Sequence, residues 1–529
     1  MTVAARAGGA PRRPLHSAAI AALFLCAPAG SLAAQAPQPI TIRGLGTLSF
    51  PTSTRSVSAE SAFVRGVLLL HVFEYEDAAA SFRAARQLDP GLVLAYWGEA
   101  MTHDHPVWDE EDPPAARAVL AALAPTAAER EARAGTPRER GFLHAVDLLF
   151  GEGPKARRDT LYSEAMGTLL AAYPEDDEAR AFYALSLLGL SQGVRNVPTY
   201  LRAAAIAESV FARNPRHPGA AHYWIHGMDD PDHASAALPA ARALSRIAPD
   251  AGHAQHMTSH IFMALGMWDD VVRANENAMR VVNAARAARG AAPSFCGHYN
   301  FWLEYGYLQQ GRTDDARTLV QRCREQARPA AGDPLDPDNS ALGSAVVMWA
   351  RYVLDTEDWR GEVAQWTPAF GEATAPRATW AFARGFAAAR RGDLPMARAA
   401  LESFGQARER LIAKIAARPE PDPGDAQYRK RLDVLGLELE AEVLLASRGA
   451  ADSAVALLRR ATALEDSMAY AFGPPFVDEP SHELLGEVLL DLGRGGEAKR
   501  EFEATLRRTP GRAAVLRGLE RAGAAASGP

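Results

Sequence analysis

The chain has 529 residues, 48% of them hydrophobic and 23% charged, with a net charge of −7 and an isoelectric point near 6.1. That length exceeds what one compact core organises and leaves either several domains or a repeat array. The acidic balance excludes the global basic field that nucleic acid attracts, so no nucleic-acid partner is expected.

The N-terminus reads as an export signal. Arg6, Arg12 and Arg13 precede an apolar run from Ala18 to Ala27, which Pro28 and Gly30 end. The run is too short to span a bilayer, and no transmembrane helix is expected in the mature chain. Small side chains at Ser31 and Ala33 suit signal peptidase, which gives a signal peptide over residues 1–34. Residues 1–33 hold three arginines and no acid, so cleavage moves the charge from −7 to −10. "RRPLH" (12–16) is a partial twin-arginine signal. "LFLC" (23–26) is a lipoprotein box spoiled by bulky Leu25. The expectation is a cleaved, unlipidated signal and a periplasmic or secreted protein.

Residues 35–58 are rich in Gly, Pro and Thr and predict an extended N-terminal strap. From Ala59 the chain becomes periodic. Counting from that residue, Gly66, Tyr75, Ala78, Phe82, Ala85 and Pro90 occupy positions 8, 17, 20, 24, 27 and 32 of a first unit. These slots resemble the tetratricopeptide repeat, in which small residues let two antiparallel helices approach, an aromatic fills the gap and a proline ends the second helix. The turn-plus-second-helix phrase recurs at 266–279, 310–320, 391–401, 448–461 and 492–510.

The resemblance implies an all-α fold, a tetratricopeptide-repeat right-handed superhelix (α-solenoid) of roughly ten helix pairs with loop insertions. One array is expected over 59–290 and a second over 291–523, with a disordered tail at 524–529. Insertions at 151–159, 290–297, 329–339 and 418–426 are Pro/Gly/Asp-rich, as surface loops are. Phrases such as "HYWIHGMDDPDHA" and "HMTSHIFMALGMWDD" also resemble a group of exported bacterial tetratricopeptide-repeat proteins; that likeness brings no function with it.

The histidines keep the period. His222 and His256 are 34 residues apart, and so are His226 and His260; they are positions 5 and 9 of units starting at Pro218 and Gly252. His253 is position 2 of the second of these units and His298 is position 2 of a unit starting at Gly297. His71 and His105 share position 13 of the first two units. The resemblance implies that such positions line a concave groove, with Trp97, Tyr223 and Tyr305 as aromatic neighbours.

Two imidazoles at i and i+4 can chelate one ion, so His222, His226, His256 and His260 are the expected ligands of a transition metal, zinc or copper. His71, His105, His253, His298, Asp229 and Asp230 are possible additions. The expected function is that of an exported ligand- or protein-binding module, taking an unidentified protein, peptide or small molecule in the concave groove, with this histidine-rich metal site there; the alternatives are a metal-dependent hydrolase or oxidoreductase on the same scaffold and a scaffold whose histidines are purely structural. No standard catalytic motif is present: there is no GxSxG, no phosphate-binding loop, no CxxC and no HExxH. A metal-dependent hydrolase or oxidoreductase would have to use Asp229, Asp230 or Glu99 as base. After signal cleavage only Cys296 and Cys323 remain. If both lie on the helices of one hairpin, they are offset by about 9 Å along the axis, beyond the ~7 Å that a disulfide bridges, and free thiols are expected.

Overall fold

The computed structural model describes residues 39–191, 194–329, 333–418, 422, 424–447 and 450–526. The segment expected to be a signal peptide and the first four residues of the strap lie outside the described residues. What is described is all-α: 23 α-helices, with short two-stranded pairs at Ile40–Ile42 with Gly46–Leu48 and at Asp104–His105 with Glu110–Glu111. No described helix is long and apolar enough to cross a membrane.

Helices pack in consecutive pairs, among them Val57–His71 with Tyr75–Leu88, Gly252–Ala264 with Trp268–Ala288, and Ser481–Asp491 with Gly495–Arg508. First helices of successive pairs also touch, as do Pro218–Gly227 and Gly252–Ala264. This two-way contact is solenoid packing.

Its steric unit is visible at both ends of the array. The Phe82 ring sits between Gly66 on one side and Gly98 on the other, and Phe502 sits in the same way between Gly486 and Gly518. In each case the aromatic is 16 residues from both glycines. A Cβ at Gly66 would lie 2.6 Å from Phe82 Cε1, and one at Gly486 would lie 2.7 Å from Phe502 Cε1. The helices are close because these positions have no side chain.

The array is closed, not an open groove. The first helix, Val57–His71, returns to Pro218–Gly227, and the backbone N–H of His253 donates to Glu74 at 3.1 Å. At the other end Trp268 Nε1 donates to the Gly511 carbonyl (2.8 Å), and the buried Arg512 reaches Tyr305 Oη (3.2 Å), Asp355 (2.9 Å) and Glu483. The helix His298–Gln309 is the partition between two hydrophobic cores: Trp302 and Tyr305 join the core of the N-terminal repeats, and Leu303, Tyr307 and Leu308 join that of the C-terminal repeats.

Three expectations change. The strap forms a hairpin whose Thr47 N–H donates to the Arg216 carbonyl (3.0 Å) and whose Leu48 and Phe50 are buried. The last helix, Ala513–Ala526, runs three residues into the segment expected to be disordered. Cys296 and Cys323 are joined in a disulfide, their Cα atoms 4.9 Å apart. The offset argument put both cysteines on helix axes, but Cys296 lies in the loop before His298 and that loop folds back over Thr313–Gln326.

Gly66→Ala should lower stability by about 1–3 kcal/mol, the usual cost of forcing a methyl into a packed core. Urea unfolding measures it, and pairing the change with Phe82→Leu should recover part of the loss. An unaltered midpoint in the single variant would show that the ring is not the spacer.

Candidate metal centre

Pro218–Gly227 and Gly252–Ala264 lie side by side, and each carries histidines four residues apart, so the imidazoles leave one face of each helix. His222, His226 and His253 bring one ring nitrogen each to within 4.8 Å of one another, as do His256, His260 and His298. In the first trio Nε2 of His222 is 3.1 Å from Nε2 of His226 and 3.2 Å from Nε2 of His253. In the second, the Nε2 atoms of His256 and His260 are 3.1 Å apart. The trios adjoin, with ring centroids 5.9 Å apart for His226 and His260 and 6.1 Å for His253 and His256. Five of the six rings are buried and His298 is half-buried.

The second layer of groups decides which nitrogen of each ring carries the proton. His222 Nδ1 donates to the main-chain carbonyl of His71 at 2.7 Å. His260 Nδ1 donates to the Asp229 carboxylate at 2.5 Å. His256 Nδ1 meets Asn275 Oδ1 at 2.6 Å, and because the Asn275 amide nitrogen is committed to the Val271 carbonyl (2.9 Å), that oxygen is the acceptor. All three rings therefore turn Nε2 to the interior, where in the neutral imidazole it carries a bare lone pair. A histidine held from behind by a carboxylate or carbonyl is the usual support of a metal ligand.

Burial opposes protonation here. It pushes His226, His253 and His256 well below the ordinary histidine range, with neighbouring imidazoles adding to the effect. It lowers His222 to about 3. Rings complete the lining: Phe73 lies 4.4 Å from His222 and 5.4 Å from His253, and Trp302 lies 4.3 Å from His260 and 4.8 Å from His256 (centroid distances). Phe73 holds this place from a left-handed backbone conformation (φ 57°) just past the first helix.

The four ligands expected from sequence are thus divided between two trios, completed by His253 and His298. His71 supplies only its carbonyl. Its ring points elsewhere, to Glu178 (2.8 Å) and Tyr223 Oη (2.8 Å), and His217 joins Glu178 from the other side at 3.1 Å. Burial alone would raise the Glu178 carboxyl, but the two histidines reverse this and bring it to about 2. His217 Nδ1 accepts from Ala220 N–H (3.0 Å), so the ring bonds of this group are satisfied within the protein.

His105 is not in the centre: it stacks on Tyr75 at 3.9 Å and pairs with Glu110. Asp229 stands behind His260, and Asp230 is taken by Arg195 (2.6 Å) and His233 (2.7 Å). Glu99 is held by Arg86 and Arg83. Trp97, Tyr223 and Tyr305 are fully buried packing residues, because the closed array turns the expected groove positions inward. Asn275, Phe73 and Phe472, whose ring lies 5.5 Å from that of His260, were not legible as site residues; nothing in their spacing sets them apart. Beyond His298 opens a cavity of about 620 Å³, lined by Trp108, Asp109 and Glu110 of the N-terminal repeats and by residues of the central and C-terminal repeats.

No protein-family model matches the chain, and no curated protein matches it in sequence. Among solved structures it is similar to yeast Tom70 (11% identity, 89% of each chain covered, TM-score 0.31). It is also similar to the P58(IPK) TPR domain (14%, 88% of this chain and 98% of that one, TM-score 0.21) and to a human IFIT1 dimer with m7Gppp-AAAA (14%, 86% and 91%, TM-score 0.30). Scores this low carry no argument about the site, and the helical-repeat architecture rests on the packing described above.

The His222 shift has a definite sign. Between its folded value of about 3 and its ordinary 6.5, the unfolded chain binds a proton that the folded chain refuses. Its contribution is therefore full above about pH 6.5 and is lost as pH falls. Thermal midpoints of chelator-treated protein should drop from pH 6.5 to pH 4, and His222→Gln should flatten that slope. Equal slopes in the two proteins would remove His222 from the account.

Proposed function

We propose that the protein is an exported helical-repeat metalloprotein holding two transition-metal ions in its closed interior. One ion sits on His222, His226 and His253, the other on His256, His260 and His298. The observation that carries this reading is the pair His256 and His260: both Nδ1 protons are committed, so two bare lone pairs face each other at 3.1 Å. Lone pairs that close repel in a dry site, and a cation between them turns the repulsion into two bonds. A tetrahedral ion with bonds of about 2.0–2.1 Å holds its nitrogens about 3.3 Å apart, near what both trios present. All-imidazole ligation selects zinc or copper over magnesium or calcium, which take oxygen.

Export is supported by the arginine-led apolar N-terminus and by the Cys296–Cys323 disulfide, which persists in oxidising compartments. A purely structural role suits His71, Glu178 and His217, whose ring bonds are satisfied; it suits the pair His256 and His260 less well, because in their neutral forms it leaves two lone pairs facing one another. The second reading, metal-dependent hydrolysis or redox chemistry, draws on the cavity that reaches His298. Burial of the histidines argues against a peptide lying along them.

Elemental analysis of untagged protein from the exported fraction tests the proposal. About two equivalents of zinc or copper are expected, falling to about one in a folded His256→Ala/His260→Ala variant. Asp229→Asn should weaken retention by about 10–100-fold, the range for losing such a supporting group. Folded wild-type protein without metal, even after dialysis against zinc and copper, would overturn the reading.

A further inference from the structure

The two trios differ in what lies beside them. His222, His226 and His253 are all buried, and where the cavity of about 620 Å³ comes near them its wall is the Trp108 indole, 5.5 Å from the His253 ring. The second trio meets the same cavity directly. His298 is half-buried and lines it, and so do Trp302 and Phe472, the rings that flank His260 at 4.3 and 5.5 Å. His256 and His260 are held from behind by Asn275 and Asp229, neither of which lines the cavity, so the trio is walled on that side and open on the side of His298.

An ion on three imidazoles keeps one tetrahedral position for a fourth donor, and zinc sites that act on other molecules differ from closed structural ones in this respect. The cavity has the size of a small-molecule site, and its own groups select what enters. Phe301, Trp302 and Phe472 form an aromatic wall. The guanidiniums are engaged. Arg418 pairs with Asp422 (2.9 Å) and Asp425 (2.6 Å), and Arg431 with Asp478 (2.5 Å). Arg351 lies over the Tyr305 ring (5.4 Å) and donates to the Pro475 carbonyl (3.0 Å). Six carboxylates line the cavity against three guanidiniums, so its field disfavours an anion. A neutral donor with an apolar body meets no such barrier, and zinc and copper both accept heterocyclic nitrogen.

We propose, on the reading that the second trio holds an ion, that the cavity binds a neutral nitrogen heterocycle with a flat apolar body. Its ring nitrogen donates a lone pair to the fourth position of the ion on His256, His260 and His298, and its body lies on Phe301, Trp302 and Phe472. The step is coordination alone, and neither a proton nor an electron changes hands. The first ion, behind Trp108, takes no such ligand. The two sites therefore divide the work, one holding the closed array together and the other receiving a molecule from the cavity.

The full exported chain, its ions replaced by cobalt(II), tests this, because the visible absorption of cobalt reports its ligands. Cobalt content is measured first, and about two equivalents are expected. Titration with 4-phenylimidazole should then change the absorption of about half the bound cobalt. It should act at concentrations at least about tenfold below those of imidazole, which lacks the body, and of phenylacetate, which is an anion. 2-Phenylpyrrole, which has the shape but no free lone pair, should leave the spectrum unchanged. Val347→Trp fills the cavity and should keep both ions while losing the response. His256→Ala/His260→Ala should keep one ion, also without response; if it does not fold, Val347→Trp decides.

Two bound cobalt ions whose absorption does not move with about 10 mM 4-phenylimidazole would overturn the proposal and leave the metal reading standing. A response of undiminished size in Val347→Trp or in the double variant would place the ligand elsewhere and overturn it too, as would equal affinity for imidazole or for phenylacetate. Folded protein that retains no cobalt, zinc or copper would overturn the metal reading and this proposal with it.

Discussion

The hydrogen bond from His222 Nδ1 to the carbonyl of His71 joins residues 151 apart in sequence. It closes the repeat array on itself, and it sets the tautomer of the ring that anchors the first trio. A last-turn carbonyl normally faces solvent or a cap. Here it faces an imidazole, so the end of the first helix is satisfied by the centre and the centre is oriented by the end of the first helix. Remove the closure and His222 becomes a groove histidine with a free choice of tautomer and an ordinary affinity for protons.

Burial then sorts histidines of identical chemistry into two kinds. Around Glu178, two rings meet a carboxylate and a hydroxyl, and donors and acceptors match. In the trios, the Nδ1 atoms of His222, His260 and His256 are turned to the periphery by a carbonyl, a carboxylate and an amide oxygen, and the neutral His256 and His260 are left with acceptor facing acceptor. A low-dielectric interior magnifies both outcomes, making the matched network cohesive and the mismatched one costly unless a cation completes it. The difference lies in what stands behind each ring.

This explains what could be read from the sequence. The 34-residue spacing brought His226 beside His260, their centroids 5.9 Å apart, because adjacent first helices stack side by side, and Gly66, Phe82 and Gly98 carry the repeat as sterics. The same reasoning misassigned His71, His105, Trp97 and Tyr223, since it placed them on an open concave face. Closure depends on contacts between residues 150 to 250 apart, such as Trp268 with Gly511, which no local pattern encodes. The cysteines failed for a related reason: a loop, not a helix, carries Cys296, and its path over the next helix is set by packing.

Closure at the C-terminal end has a further consequence, which runs through one helix. Ala341–Thr356 carries Asp355 near its end, and there the buried Arg512 binds both Asp355 and Glu483, fixing the last repeats against Tyr305. One turn earlier on the same helix, Arg351 reaches the Pro475 carbonyl and faces the cavity. The helix that ties the C-terminal repeats to Arg512 therefore also lines the cavity, through Gly343, Val347 and Arg351. Since His298 and Trp302 belong to the partition helix against which Arg512 is braced, loosening the Arg512 contacts would disturb the aromatic wall and the second trio together. The imidazole trios and the cavity are in this sense one mechanical unit, assembled only when both ends of the array have returned to the middle.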